Sequence, residues 1–408
     1  MELRIHKPGL LTAALMAVYI LSQNLLYLAP EHSFYNYLAY GLVLGMAGYV
    51  IFWARKLRLE KSALTLLMAA PLGLSVMASL VEVARYGDAS FLHSLYGQMQ
   101  WWIYGLAFFV FQYALRRHPS VYPALIGGFV FLAVVQVGIG IAQSLLAGQV
   151  NFTYIPTTKR LGMIRYYFPV VLMVLAYFWA LNNFFNGRRR LLSLGLMAAV
   201  LFEVTFVQQF RSTLGGMLLA SFAGFLLWRK VSAKKTALFL AAVVCAWLLY
   251  RSSDFLQQSV VYLLSGDRSL SVRGVLIDFI LENSRARWLL GSGWVSSEMA
   301  YAYASTPYRT YLNWGAFVFA DGGVFSILYS YGVLGVLWVA ALWSVMLRKG
   351  WRIYRQQNHY LFLLFPLYML MTIFIDIHWY IHDQFFVMAL FCALLDYRAK
   401  AGPPAAGR

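Results

Sequence analysis

Arginines are concentrated in the one long segment of the chain that is compatible with water, from about residue 251 to residue 321. The segment carries six of them, which are Arg251, Arg268, Arg273, Arg285, Arg287 and Arg309. A guanidinium group presents a planar fork of donors that matches phosphate oxygens bidentately, whereas a lysine ammonium is a point charge. The segment therefore predicts a site for an anion such as a pyrophosphate or an acidic sugar. The alternative is that the arginines only hold the segment together by pairing with its carboxylates, which are Asp254, Asp267, Asp278, Glu282 and Glu298.

Arg211 is the most informative single cation because of its position. It lies in Val207-Gln-Gln-Phe-Arg-Ser-Thr-Leu-Gly-Gly216, between two apolar segments, so we expect it at the edge of a bilayer. Ionisable groups at that depth are costly and usually face a bundle interior or a water-filled cavity. An arginine that snorkels to the interface is the alternative. Gly215 and Gly216 would let a neighbouring helix or a lipid chain approach the backbone closely.

An amphipathic helix is predicted inside the arginine-rich segment, from Ser271 to Glu282. Its apolar residues recur at helical spacing and are Val272, Leu276, Phe279 and Ile280. Such a helix would lie on the membrane surface or cover a cavity, with Arg273 beside its apolar stripe. The turn that follows, Trp288-Leu-Leu-Gly-Ser-Gly-Trp294, is a poor nucleotide-binding loop because no strand precedes it.

Asp321 and Arg160 complete the set of candidate residues. Asp321 lies where the arginine-rich segment returns to apolar sequence. As an N-cap it would stabilise the start of the next helix, and as a general base it could take a proton from a hydroxyl group. Arg160 precedes Gly162, which permits a turn, and Pro169, which suits the first turn of a helix.

A metal site is the alternative use of a second polar segment, Asp376-Ile-His-Trp-Tyr-Ile-His-Asp383. His378 and His382 are four residues apart, so a helix would place both imidazoles on one face. Trp379 and Tyr380 instead favour an interfacial aromatic belt, and we predict no metal and no other cofactor. Glu82 and Glu203 are ionisable residues within apolar segments, where they are expected to line the interior.

The elements that must position these residues are membrane helices. The 408 residues are 61% hydrophobic, 17% aromatic and only 12% charged, which predicts an all-α polytopic membrane protein. Since a span needs about 20 apolar residues, we predict about twelve. The predicted spans are 10–29, 34–53, 62–81, 97–115, 120–146, 167–185, 191–208, 213–228, 236–250, 322–347, 360–377 and 384–397. The large, partly helical loop then lies between the ninth and the tenth.

The net charge of +18 comes mostly from basic runs in every second connection between these spans. This alternation follows the positive-inside rule, so it indicates topology and contact with anionic lipid rather than binding of nucleic acid. Both termini are then cytoplasmic and the arginine-rich segment is external. The cations predicted outside comprise ten arginines and one lysine, among them Arg85, Arg165 and Arg211.

Four regions follow from this topology. Residues 1–250 form the first part of the transmembrane bundle, with about nine helices. Residues 251–321 form the external loop, and residues 322–398 form the last part of the bundle, with about three helices. Residues 399–408, which include Pro403 and Pro404, are predicted to be a disordered cytoplasmic tail. Both cysteines lie inside predicted spans and indicate no disulfide framework.

The order of these features resembles the O-antigen ligase and polymerase superfamily of bacterial membrane proteins. Arg160-Leu-Gly162 is similar to the family's arginine-glycine turn, and Phe210-Arg-Ser-Thr-Leu-Gly-Gly216 to its serine-arginine-glycine helix start. An external loop follows with Ser271-Val-Arg273 and Leu290-Gly-Ser-Gly293, and it ends in Ala320-Asp321 before Gly332-Val-Leu-Gly335. The resemblance covers about residues 155 to 340. Family ligases usually have His-Asn at the loop's end, so Ala320-Asp321 is more similar to the polysaccharide polymerases.

The resemblance implies a glycosyltransferase of GT-C-like architecture in the bacterial inner membrane, with its active site facing the periplasm. Its donor and acceptor would be undecaprenyl-pyrophosphate-linked glycans, and a chain-length regulator protein is a candidate partner. Arg211 and Arg273, with Arg268 and Arg160, would bind the pyrophosphate. Asp321 would orient or deprotonate the acceptor hydroxyl. The reaction implied needs neither a nucleotide nor a metal.

Three functions remain open at this point. A polymerase would join lipid-linked repeat units of an O-antigen, capsule or exopolysaccharide. A ligase would move the glycan to lipid A core, or an O-oligosaccharyltransferase would move it to protein. A transporter of lipid-linked sugars is the third, with inverted repeats and broken helices as its expected signs.

Overall fold

A computed structural model describes most of the chain. The described residues are 7–22, 32–53, 62–87, 90–146, 157–160, 163–228, 268–293, 322–374 and 384–401, together with the single residues 237, 244, 248, 251 and 257. The predicted span 236–250, the histidines of the alternative metal site and Asp321 therefore lie outside the part considered below, apart from those single residues.

The described residues form thirteen α-helices and one short β-hairpin. The helices are α1 Lys7–Ser22, α2 His32–Gly48, α3 Ala63–Tyr86, α4 Phe91–Gly97, α5 Met99–Arg117, α6 Val121–Leu145, α7 Val171–Phe185, α8 Arg190–Phe202, α9 Arg211–Leu227, α10 Arg268–Ser284, α11 Val324–Gln357, α12 Leu361–Thr372 and α13 Gln384–Ala401. Two π-helical turns, Tyr49–Trp53 and Glu203–Val207, extend α2 and α8. The antiparallel hairpin pairs β1 (Thr157–Arg160) with β2 (Met163–Tyr166).

The helical architecture agrees with the prediction of an all-α membrane protein, apart from the hairpin. Four described helical segments are long and apolar enough to cross a membrane, and they are Ala63–Tyr86, Val121–Leu145, Arg190–Val207 and Val324–Gln357. Other helices occupy predicted spans but are shorter, such as Val171–Phe185 and Leu361–Thr372. The number of twelve spans and the orientation in the membrane stay predictions.

The centre of the bundle is built from helices that are apolar on all sides. In α13, every residue from Phe385 to Leu395 is buried, and α7 is almost as fully enclosed. Phe386 of α13 contacts Tyr104 and Phe111 of α5, with ring centroids 5.7 and 5.2 Å apart. Burial around the whole circumference is typical of a helix in the interior of a bundle. α5, α7 and α13 therefore form the scaffold on which the outer helices pack.

The two ends of the bundle differ in their polar residues. At one end, Asp396 of α13 forms ion pairs with Lys349 at 2.8 Å and Lys400 at 3.1 Å. A cavity of about 420 Å³ lies beside it, lined partly by Gln112 and Arg116. At the other end lie Arg85, Arg165, Arg211 and Arg287, and we call it the arginine end.

Candidate functional site at the arginine end

α9 begins at Arg211 with no polar cap. Its N-cap residue is Phe210, which has an extended backbone and makes no side-chain hydrogen bond to the helix. Two backbone hydrogen bonds tie the preceding residues to the π-helical turn: Gln208 N donates to Glu203 O at 2.9 Å, and Phe210 N donates to Val204 O at 3.1 Å. The residues Gln208–Phe210, which we call the glutamine turn, are thus held in a defined shape directly before Arg211.

Arg165 of β2 packs against the glutamine turn. Its Nε donates to the backbone oxygen of Gln208 at 2.6 Å. Its guanidinium carbon lies 4.5 Å from the ring centre of Tyr167 and 4.6 Å from that of Phe210, within the range of cation–π attraction. The hairpin therefore brings a second arginine to the start of α9.

A buried carboxyl group lies within the π-helical turn. Glu203 is completely buried, and its Oε1 accepts from Nε2 of Gln208 at 3.5 Å. Gly140 of α6 makes room for it, because a Cβ at that position would lie 2.6 Å from the Glu203 carboxyl carbon. This confirms the expectation that Glu203 lines the interior. Glu82, the other such residue, is 3% exposed and accepts a hydrogen bond from Ser94.

Gly216 allows α9 and α12 to pack closely, as its position in the sequence predicts. A Cβ on Gly216 would lie 2.7 Å from Cγ2 of Thr372 and 3.0 Å from the ring of Tyr368. Gly215 has open space around it and makes no such approach. The start of α9 is therefore packed beside the end of α12.

α10 confirms the predicted amphipathic helix. Leu276, Phe279 and Ile280 are at most 1% exposed. The ring of Phe279 lies 5.8 Å from that of Tyr329 in α11, and a Cβ on Gly322 would lie 3.2 Å from Ile280. The apolar stripe of α10 thus packs on the first part of α11.

The four predicted site arginines fall on elements that meet at the arginine end, whereas Asp321 lies outside the described residues. Arg268 and Arg273 belong to α10, and Arg160 closes β1 opposite Met163, but the side chains of these three arginines lie outside the described part. Val324, the first residue of α11, donates to Ile373 O at 2.9 Å, which joins the α10–α11 region to the end of α12. α9 packs on that same end. The structure therefore gathers α10, the hairpin and Arg211 around one end of the bundle.

The glycine turn after α10 fills a break in α11. α11 has a non-helical backbone at Gly332, with φ 63° and ψ −160°. The freed groups bond to the turn: Ser292 N donates to Tyr329 O at 2.6 Å, Gly293 N to Ser330 O at 3.2 Å, and Val333 N to Trp288 O at 2.7 Å. Two separate glycine motifs of the sequence, Gly291–Gly293 and Gly332, are thus one structural unit.

A second group of cations lies beside this unit. Arg287 donates to the hydroxyl of Tyr86 at 3.2 Å. Arg85 is close enough to Arg287 for their charges to repel each other, and both lie near Tyr329. The arginine end therefore carries positive charge around α3 and α11 as well as around α9.

Arg165 and Gln209 are the site residues that sequence reasoning missed. Arg165 was predicted only as one of several external cations, although its place after Gly162, a residue type that permits a turn, could have drawn attention to it. No sequence signal indicates that Gln209 has a positive φ of 56°. The role of Arg165 and the conformation of Gln209 both follow from tertiary contacts.

The described residues contain no group of three potential metal ligands. No protein-family model and no curated protein matches the sequence. The family resemblance therefore stays an expectation. The proposed function rests on the geometry at the arginine end.

Proposed function

We propose that the protein is a membrane glycosyltransferase that joins polyprenyl-pyrophosphate-linked oligosaccharide repeat units. One observation carries the proposal: Arg165 and Arg211 flank the N-terminus of α9, which is capped by Phe210 rather than by an acceptor side chain. A helix N-terminus favours negative charge, and guanidinium groups bind phosphate oxygens bidentately. The N-terminus lies at the end of an apolar bundle, where the headgroup of a lipid-linked donor would be presented.

The reaction in this proposal is a substitution at the anomeric carbon of the donor glycan. An acceptor hydroxyl forms the new C–O bond while the bond to the pyrophosphate oxygen breaks, and the polyprenyl pyrophosphate leaves with the electron pair. Arg211 and Arg165, with Arg273, Arg268 and Arg160, stabilise the charge that develops on the leaving group. Asp321 takes the hydroxyl proton. The donor already carries its leaving group, so the reaction consumes no nucleotide.

A transporter of lipid-linked sugars is the second candidate, because α11 is a broken helix of the kind that transporters use. In transporters the backbone groups freed by such a break coordinate the substrate. Here Tyr329 O, Ser330 O and Val333 N all bond to the glycine turn of residues 288–293. None of these three backbone groups is left to coordinate a substrate. We therefore favour the glycosyltransferase.

The test is reconstitution of the purified protein with a polyprenyl-pyrophosphate-linked repeat unit and no other protein. A ladder of products supports the polymerase. Product that forms only after lipid A core is added supports the ligase instead, and movement of the lipid-linked sugar between leaflets without new glycosidic bonds supports the transporter. Arg211→Ala should abolish the ladder, whereas Arg352→Ala, an exposed arginine near the other end of α11, should leave it unchanged.

A further inference from the structure

Gln209 combines two features that cost stability. Its φ of 56° lies in the left-handed region, which residues with a side chain seldom adopt. It is only 2% exposed, and within the described part of the chain neither Nε2 nor Oε1 of its amide has a hydrogen-bond partner. A buried amide without partners destabilises the folded protein by the full free-energy cost of removing it from water. Folding alone gives no reason for a glutamine at this position.

Three other buried polar atoms near Gln209 in the sequence share this property. Within the described residues, Oε1 of Gln208, Oγ1 of Thr213 and Oε2 of Glu203 also lack partners, and all three side chains are 0% exposed. Gln208 and Thr213 flank Arg211, and Glu203 bonds to Gln208. Buried polar groups are nearly always paired, and a ligand bound beside Arg211 would give these four side chains the partners that the described residues do not supply.

The chemistry of these groups distinguishes the ligand from a second phosphate. Carboxamide and hydroxyl groups offer both donors and acceptors without carrying a charge. Neutral, mixed donors and acceptors match the hydroxyl and acetamido groups of a sugar. Arg165 holds the glutamine turn, which carries the Gln208 and Gln209 amides, through Gln208 O and the ring of Phe210, so the position of these two amides does not depend on the ligand.

We propose that Gln209, together with Gln208, Thr213 and Glu203, binds the sugar attached directly to the pyrophosphate of the lipid-linked donor. The inference rests on the proposed function, in which Arg211 binds the pyrophosphate. It assigns the sugar to groups on both sides of Arg211. The first sugar is covalently joined to the pyrophosphate, so groups adjacent to the phosphate-binding arginine are in reach of it. Gln209 is then a specificity-determining residue, and its strained backbone is retained for binding.

The experiment compares binding of two ligands: polyprenyl pyrophosphate without a sugar, and the same lipid carrying the glycan. The variants are Gln209→Met, which keeps the volume of the side chain and removes its polar atoms, and Gln209→Gly, which also relieves the positive φ. We expect the preference of the wild type for the glycan-bearing lipid to fall roughly tenfold in both, as loss of a paired buried hydrogen bond implies. Affinity for the sugar-free lipid should not change.

Thermal unfolding without ligand separates binding from a structural role. We expect the midpoint of Gln209→Met to equal or exceed that of the wild type, because an unpaired buried amide is removed. Gln112→Met is the matched control at the other end of the bundle. The amide of Gln112 donates to Asp396 at 3.2 Å, so this variant should lose stability and keep the full preference for the glycan.

The outcomes are distinguishable. A wild-type preference that survives in Gln209→Met and Gln209→Gly overturns the role of Gln209, and so does a midpoint that falls together with the affinity for both lipids. Wild-type protein that binds both lipids equally also overturns it, while ladder formation can still support the glycosyltransferase. Wild-type protein that binds neither lipid overturns the proposed function and this inference together.

Discussion

Arg165 and Gln208 are joined by a hydrogen bond from the guanidinium Nε to the backbone oxygen, 2.6 Å long. The contact links the hairpin after α6 to the turn that ends α8 and begins α9. It fixes the turn from which Arg211 and Gln209 extend. The shape of the candidate site therefore depends on Arg165, whose guanidinium Nε donates to a main-chain oxygen.

Arg165→Lys should reduce glycosyl transfer about tenfold or more while leaving the net charge unchanged. A lysine cannot reproduce the planar fork or its packing over the rings of Tyr167 and Phe210. Initial rates of ladder formation measure the effect, with Arg352→Lys as the control. Equal rates in Arg165→Lys and wild type would show that only the charge matters.

Asp321→Ala tests the proposed base independently of the arginines. We expect transfer to fall at least a hundredfold if Asp321 takes the proton, with little change in affinity for the donor. Arg273→Ala should instead weaken donor binding. Single-turnover rates and binding measured on the same samples separate the two effects. Full activity of Asp321→Ala would show that Asp321 is not the base, and the proposed role of the arginines would be unaffected.

Gly332→Ala and Gly291→Ala should each lower the free energy of unfolding by more than about 2 kcal/mol, because both add backbone strain and a backbone clash. Both residues have positive φ, and a Cβ on Gly291 would lie 2.5 Å from the backbone nitrogen of Gly332. Gly127→Ala in α6 is the control, since its Cβ would meet no atom within 4 Å. Unfolding in detergent measures all three. Wild-type stability in both variants would contradict the fit between the glycine turn and α11.

Asp396→Asn should destabilise the end opposite to the site by about 3 kcal/mol, since it removes the partner of two cations. Asp396 is almost fully buried and bonds to Lys349, Lys400 and Gln112. Lys400→Met should cost much less, because the side chain of Lys400 is 38% exposed. Comparable losses for the two variants would mean that the exposed pair contributes as much as the buried one.

His359, between α11 and α12, should make stability depend on pH. Removal from water, with repulsion from Arg398 and Arg188, lowers the pKa of His359 to about 3. The unfolded chain takes up a proton below about pH 6.5, whereas the folded protein does not. Stability is therefore complete above that pH and falls as the pH decreases towards 3. The difference between wild type and His359→Phe, followed by thermal unfolding from pH 7.5 to 4.5, isolates this contribution, and parallel curves would exclude it.

Helix positions were predictable from the sequence wherever the apolar pattern was long. α10 shows this well, since the spacing of Leu276, Phe279 and Ile280 predicted its buried face. The hairpin was not predicted, because its strands have only four residues each and leave little room for a periodic signal. The burial of Glu82 and Glu203 followed from their apolar surroundings.

The sequence by itself determined the kind of protein, with apolar helices, basic connections and arginines concentrated in one long polar segment. It also predicted Arg211 between two apolar segments and a close approach at Gly215 and Gly216 by a helix or a lipid chain. The structure places Arg211 at the start of α9 and a helix contact at Gly216. Only the tertiary structure decided that Arg165 supports the glutamine turn, that Gln209 is buried without a partner, and that the glycine turn fills the break at Gly332. Each of these relationships joins residues through packing and backbone geometry, for which the linear order of residue types carries no signal.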